Sequence, residues 1–167
     1  MKYRTLVLAG MVAVGVISGY TTALTQGTTG ASSEGSLSVQ LSIPRLVRIQ
    51  GLQDIDLGTY TGAGDLHGAS NACVKRNGAG SYSVTATSIN AFALMDSASV
   101  PYGVTWGGQP LDHGVVLAGQ TPEAVALKGV CGATAMNKIG VRVQAVHLQI
   151  APPGVYTDVL TLLVQPD

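Results

Sequence analysis

The chain has 167 residues, of which 46% are hydrophobic and 11% charged, a balance that favours one folded domain over intrinsic disorder. Nine Lys and Arg residues match nine Asp and Glu residues, so no basic excess is present to bind nucleic acid. Such a sparse, balanced charge gives weak repulsion between copies and tolerates self-association.

Residues 1–23 have the pattern of a signal peptide. Lys2 and Arg4 form a basic start, the apolar run LVLAGMVAVGVI follows, and small residues lead to Ala23. A retained membrane anchor is the alternative, but a span needs about 20 apolar residues and this run is shorter. We therefore expect export with cleavage after Ala23, which leaves no membrane segment in the mature form.

The mature chain divides into a leader and one domain. Residues 24–35 are small, polar and Gly-rich, which predicts a flexible leader. Residues 36–167 contain no repeat and no Pro-rich linker, so we expect a single domain. It begins with SLSVQLSI, in which one face carries Leu37, Val39, Leu41 and Ile43. This alternation predicts a half-buried strand, and Pro44 interrupts it.

Further strands follow at short intervals. RLVRIQ and DIDLG are predicted strands, and the Gly-rich stretch GTYTGAGDLHGASN is a predicted loop. SYSVTATS and YGVTW alternate cleanly. KIGVRVQAVHLQI changes phase after Val143, which is typical of a β-bulge or bend. TPEAVAL has the start of a helical turn but is short. The pattern predicts an all-β sandwich with almost no helix.

The last predicted strand lies in GVYTDVLTLLVQPD. One face carries Tyr156, Leu160, Leu162 and Val164. The other face also has apolar residues, Val159 and Leu163. A strand that is apolar on both faces is rarely left bare at a sheet edge. We expect it to be covered by a strand, either from its own N-terminal region or from a neighbouring copy.

The two cysteines are Cys73 and Cys131. Export places them in an oxidising compartment, which favours one disulfide over the alternative of two free thiols or a catalytic cysteine. Neither cysteine lies in a CxxC motif or at metal-ligand spacing.

Motifs for enzyme chemistry are absent from the sequence, which contains no GxSxG, HExxH, Walker A or dinucleotide fingerprint. His67, His113 and His147 have no second ligand at metal spacing, so surface positions are favoured for them. Asp54, Asp56 and Asp65 allow weak calcium binding as an alternative to a polar face. We expect no catalytic residue, metal site or cofactor.

Three stretches together resemble a known family. DIDLGTY, NACVKRNGAGSYSVTAT and PPGVYTDVLTLLVQP are similar in order and spacing to segments of the spore coat protein U-like domains and the related archaic chaperone–usher pilins. The resemblance spans roughly residues 36–167. It implies an incomplete immunoglobulin-like sandwich, completed when a segment from the next subunit adds a strand. It also implies a periplasmic chaperone and an outer-membrane usher as partners.

Two departures from that family pattern concern the N-terminal region. Many members have a cysteine at the end of the first strand, but IPRLVRIQG has none, so Cys73 would pair with Cys131. Donor segments in pilins usually precede the first strand, whereas here the leader is polar. SLSVQLSI is therefore the best donor segment, and it is equally the candidate for the domain's own first strand.

These observations predict a subunit of a cell-surface pilus or fibre, a homo- or hetero-polymer that transits the periplasm. One alternative is a self-contained secreted domain of the spore coat protein U type. Another is a carbohydrate-binding adhesin module, which would need an exposed aromatic patch near Tyr60, Tyr102 or Trp106.

Overall fold

The computed structural model describes residues 25–167, and the predicted signal peptide over residues 1–23 lies outside them. The chain divides into two compact units, one that ends at Ile43 and one that extends from Pro44 to Asp167. In the first unit, Thr25 and Ser36 pair through two backbone hydrogen bonds, of 3.0 and 3.4 Å. Residues 37–43 form no strand, although their alternation predicts one.

The second unit is all-β, as the sequence predicts. Its strands are β1 (Val47–Gln50), β2 (Leu66–Ser70), β3 (Cys73–Arg76), β4 (Tyr82–Ser88), β5 (Ala93–Met95), β6 (Ser99–Pro101), β7 (Gly103–Trp106), β8 (Gln109–Pro110), β9 (Val116–Gln120), β10 (Ile139–Val143) and β11 (Leu160–Pro166). Within residues 25–167, helix is limited to a 3-10 turn, Ala133–Ala135, and to α1, Ala145–Leu148. Neither of these is long and apolar enough to cross a membrane.

The strands pair antiparallel in two larger sheets, of order β2-β10-β7-β8 and β11-β4-β9, and two pairs, β1-β3 and β5-β6. Tyr82, Val84 and Ala86 on β4 are fully buried, as their alternation predicts. Trp106 is also fully buried; its ring meets Tyr82 edge-on and its Nε1–H donates to the Tyr82 hydroxyl at 3.1 Å. The polar atoms of both aromatic residues are thereby satisfied inside the core.

Two predictions in the N-terminal half of this unit are wrong. Residues 54–58 form no strand, although Ile55 and Leu57 are half-buried and their neighbours exposed. The predicted loop over residues 58–71 contains β2. Gly68 explains the second error, since a Cβ there would collide with Ile55 Cγ2 and lie 2.9 Å from Leu57 Cδ2. The glycine that makes the sequence resemble a loop lets Ile55 pack directly on the strand.

The phase change in KIGVRVQAVHLQI is not a β-bulge. Strand β10 ends at Val143, and α1 begins two residues later after an extended Gln144. A change from two-residue to helical periodicity therefore produced the apparent slip. The helical turn considered in TPEAVAL does not form.

Cys73 and Cys131 form a disulfide, as predicted, with their Cα atoms 5.9 Å apart. The bond ties β3 to the segment between β9 and β10, which carries no strand. The closed loop of 58 residues contains β4 to β9. The covalent link therefore holds the longest irregular stretch of the second half to the core.

We expect the paired substitution of Cys73→Ser and Cys131→Ser to lower the free energy of unfolding by about 4 kcal/mol, because opening a loop of this length restores chain entropy to the unfolded state. Denaturant titration of both proteins measures the difference. Dithiothreitol should destabilise the native protein to a similar extent and leave the double variant unchanged. A loss below about 1 kcal/mol would contradict this expectation.

Candidate groove at the free edge of the last strand

Strand β11 is paired on one side only within residues 44–167. Its ladder with β4 runs from Leu160 opposite Ser88 to Pro166 opposite Tyr82. No backbone group of residues 160–166 makes a backbone hydrogen bond outside this ladder within that range. The second edge of β11 is therefore open to another strand.

The two faces of β11 follow the predicted phase. Leu160, Leu162 and Val164 are half-buried and pack against the core. Leu163, on the opposite face, is 53% exposed. Tyr156 also packs against the core, but it precedes the strand and its hydroxyl donates to the Pro152 carbonyl at 2.9 Å. The terminal strand thus begins at residue 160.

A groove of about 430 Å³ lies beside the first half of β11. Leu160 and Leu162 line one bank, and Leu52, Ile55 and Leu57 line the other. The bottom includes Ile139 and Val141 of β10, both buried. These side chains make the groove largely apolar, as a site for alternate side chains of an added strand must be.

The bank opposite β11 also lacks a ladder. Residues 51–57 make no backbone–backbone hydrogen bond within the described range. The Ser70 hydroxyl takes the place of a strand there, since it donates to the Gln53 carbonyl at 2.7 Å and accepts from the Gln53 N–H at 2.8 Å. Both banks therefore carry backbone groups without strand partners.

A hydrogen-bonded carboxylate lies at the groove end that begins β11. Asp158 accepts from the Tyr102 hydroxyl at 2.8 Å, from Asn90 Nδ2 at 3.0 Å and from the Val159 N–H at 2.8 Å. Burial acts to raise the pKa of Asp158, but hydrogen bonds from Ser88, Tyr102, Val159 and Asn90 outweigh it and lower that pKa. Burial, with the bond to Asp158, raises the pKa of Tyr102 to about 12. This end is therefore an anionic, ordered rim.

The other end of β11 is tied down through the terminal residue. Arg45 donates to the Asp167 carbonyl at 2.8 Å, and the Asp167 N–H donates to the Ser81 carbonyl at 3.2 Å. The Gly119 N–H donates to the Asp167 carboxylate at 3.1 Å. Hydrogen bonding, first of all from Ser81, lowers the pKa of Asp167. This end of the strand is thus bound to β9 and to the residues that flank β1 and β4.

The candidate donor residues present an apolar row. Leu37, Val39, Leu41 and Ile43 are 73, 87, 81 and 70% exposed. Four large apolar side chains in one phase and without burial are unusual at a protein surface. They have the two-residue spacing of an added strand that fills pockets.

Other residues considered from the sequence are placed differently. Trp106 and Tyr102 are buried, so they offer no exposed aromatic patch. Asp65 accepts from Arg142 and from the Ala145 N–H rather than lying free beside Asp54. Among residues 25–167, no three His, Cys, Asp or Glu side chains are grouped as metal ligands.

Sequence reasoning missed the residues that complete the groove, Leu52, Ile139, Val141 and Asp158. They come from three separate segments, and only the fold brings them together. The chain matches no protein-family model, and a comparison with curated proteins finds no match.

Proposed function

We propose that this protein is an exported structural subunit of a surface fibre, in which residues 36–43 of one copy occupy the groove beside β11 of the next. The proposal rests on two features of the same chain. One is the unpartnered edge of β11 beside an apolar groove, and the other is the exposed apolar row Leu37, Val39, Leu41 and Ile43. In this proposal, the all-β unit is an immunoglobulin-like sandwich that lacks its last strand.

Spacing supports this assignment. Apolar side chains recur every second residue, about 6.8 Å apart in an extended strand, both in residues 37–43 and along Leu160, Leu162 and Val164. A donor strand between β11 and residues 52–57 would supply ladder partners to both banks. Residues 37–43 and strand β11 thus share the same two-residue spacing and the same apolar character.

The energetics explain why such a joint needs both buried apolar side chains and ladder hydrogen bonds. Ordering eight residues costs roughly 8–16 kcal/mol of backbone entropy at 1–2 kcal/mol each. Burying four large apolar side chains returns about 6–12 kcal/mol at 1.5–3 kcal/mol each. Ladder hydrogen bonds, at roughly 0.5–1.5 kcal/mol each, must supply the remainder. The joint therefore depends on every apolar position.

The resemblance to spore coat protein U-like domains and archaic chaperone–usher pilins points in the same direction. On that basis, the partners before assembly are a periplasmic chaperone that covers the groove and an outer-membrane usher. The alternative is a self-contained secreted domain in which residues 36–43 cover the groove of their own chain.

Deleting residues 24–43 tests the proposal. We expect the full exported protein to run as a ladder of stable oligomers on unboiled gels, and the deletion to abolish the ladder because no donor remains. Deleting only residues 24–35 is the matched control and should retain the ladder. A full-length protein that is a stable monomer without a chaperone would exclude strand exchange and favour the self-contained domain.

A further inference from the structure

A second pocket, of about 570 Å³, lies on the outer face of the β2-β10-β7-β8 sheet. His67, Arg142 and Gly103 are direct cross-strand neighbours on this face, in the row that crosses β2, β10 and β7. The next row contains Gly140 opposite Thr105. Gly103 contributes no side chain to the first row, whereas the Thr105 side chain lies over Gly140 in the second, with its Oγ1 2.5 Å from where a Cβ of residue 140 would be. The pocket has the size of many small-molecule sites.

One formal charge lines this pocket. It belongs to Arg142, and His67 and His147 add imidazole side chains to the lining. Asp65 lies outside the lining and fixes the guanidinium, since its Oδ2 accepts from Arg142 Nε at 2.8 Å and from Arg142 Nη2 at 2.5 Å. The second oxygen of Asp65 accepts from the Ala145 N–H. The carboxylate thus orients Arg142 without entering the pocket.

Hydrogen-bonding capacity remains unused in the lining. Within residues 25–167, Arg142 Nη1 has no hydrogen-bond partner, nor have the side chains of His67, Gln144 and His147. A held guanidinium with a free N–H group is suited to a carboxylate. The amide and imidazoles provide donors and acceptors for hydroxyl groups.

We infer that this pocket binds a small hydroxylated carboxylate, of which an acidic monosaccharide is the representative. The carboxylate meets Arg142, and the ring lies over the Gly103 backbone beside Thr105, Gln144 and His147. Tyr102 and Val141 border both this pocket and the groove beside β11, but Arg142, Gly103 and His147 line the pocket alone. The inference does not rest on strand exchange.

The test is a titration of the full exported protein with D-glucuronate, glucose and acetate, followed by calorimetry or by NMR shifts of the pocket residues. We expect glucuronate to bind at least about tenfold more tightly than glucose, because a charge-assisted hydrogen bond contributes that much. Arg142→Gln should lose this advantage. Arg48→Gln, an exposed arginine on β1, is the matched control and should keep it.

A second variant blocks the pocket without removing a contact. Gly103 lies outside the left-handed region, and a Cβ there would meet only the Arg142 carbonyl oxygen, at 4.0 Å. Gly103→Val should therefore fold with an unchanged thermal midpoint and lose glucuronate binding. Equal binding of glucose and glucuronate, acetate binding as tight as that of glucuronate, no binding of any probe, or full binding by Gly103→Val would each overturn the inference.

Discussion

Two aspartates on the apolar face of the donor segment, Val39→Asp with Leu41→Asp, should abolish assembly. In the proposed joint, both side chains enter the groove, and burying a carboxylate without a partner is far costlier than the apolar contact it replaces. The ordering cost of the segment is close to the gain from its four apolar side chains, so the loss of two of them leaves no net driving force.

The matched control places the same charges on the opposite face, with Ser38→Asp and Gln40→Asp. All four positions are exposed in the single chain, so the two double variants would behave alike if residues 36–43 served only as a flexible extension. We expect the control to retain the oligomer ladder on unboiled gels and in light scattering. Equal assembly, or equal loss, in the two variants would contradict strand exchange. A lowered thermal midpoint of monomeric Val39→Asp with Leu41→Asp would favour the self-contained domain.

Removing the buried carboxylate of Glu123 should lower the free energy of unfolding by about 3–5 kcal/mol. Its side chain is 1% exposed, its Oε2 accepts from the Val74 N–H at 2.6 Å, and its Oε1 lies 3.1 Å from Lys138 Nζ. The ammonium also lies 5.8 Å from the centre of the Trp106 ring. Glu123→Ala leaves the Val74 N–H without its acceptor and the Lys138 ammonium without its anionic partner. Breaking a buried ion pair in this way typically costs about 3–5 kcal/mol.

Two comparisons separate these contributions in denaturant titrations. Glu123→Gln keeps an acceptor for the Val74 N–H and should lose less than Glu123→Ala. Adding Lys138→Met to Glu123→Ala removes the unpaired cation and should recover part of the loss. Against a typical domain stability of about 5–15 kcal/mol, the alanine variant is expected to be marginal. A change within about 1 kcal/mol of the native protein would show that the pair contributes little.

The strands that could be predicted from the sequence are those whose two faces differ. On β4 the inward residues are Tyr82, Val84 and Ala86, and the outward ones are Ser and Thr, so periodicity and burial coincide. Strand β3, CVKR, was missed because Lys75 and Arg76 resemble surface residues. Both are buried, and the Arg76 guanidinium donates to the Ser81 carbonyl. A hydrogen bond of this kind satisfies a buried cation but leaves no hydrophobic periodicity in the sequence.

Residues 36–43 illustrate a different limit. Their alternation is as regular as that of β4, yet the single chain forms no strand there. Alternation states which side of a segment is suited to apolar contact, but a strand also needs backbone partners. The groove is the opposite case, a structural feature without a sequence pattern. Leu52, Ile139 and Leu160 line it together, but they come from distant segments and share no motif. Only the fold shows that they line one surface.

The single open edge of β11 has a consequence for symmetry. Because β4 occupies the other edge, each copy in the proposed fibre accepts one incoming strand at this site and donates one segment. The proposed contact is therefore heterologous, with different surfaces on its two sides, and its repetition generates an open filament unless the rotation closes a ring. Such a filament is unbranched and directional. One terminus exposes a vacant groove and the other an unused segment, so growth and capping at the two termini require different chemistry.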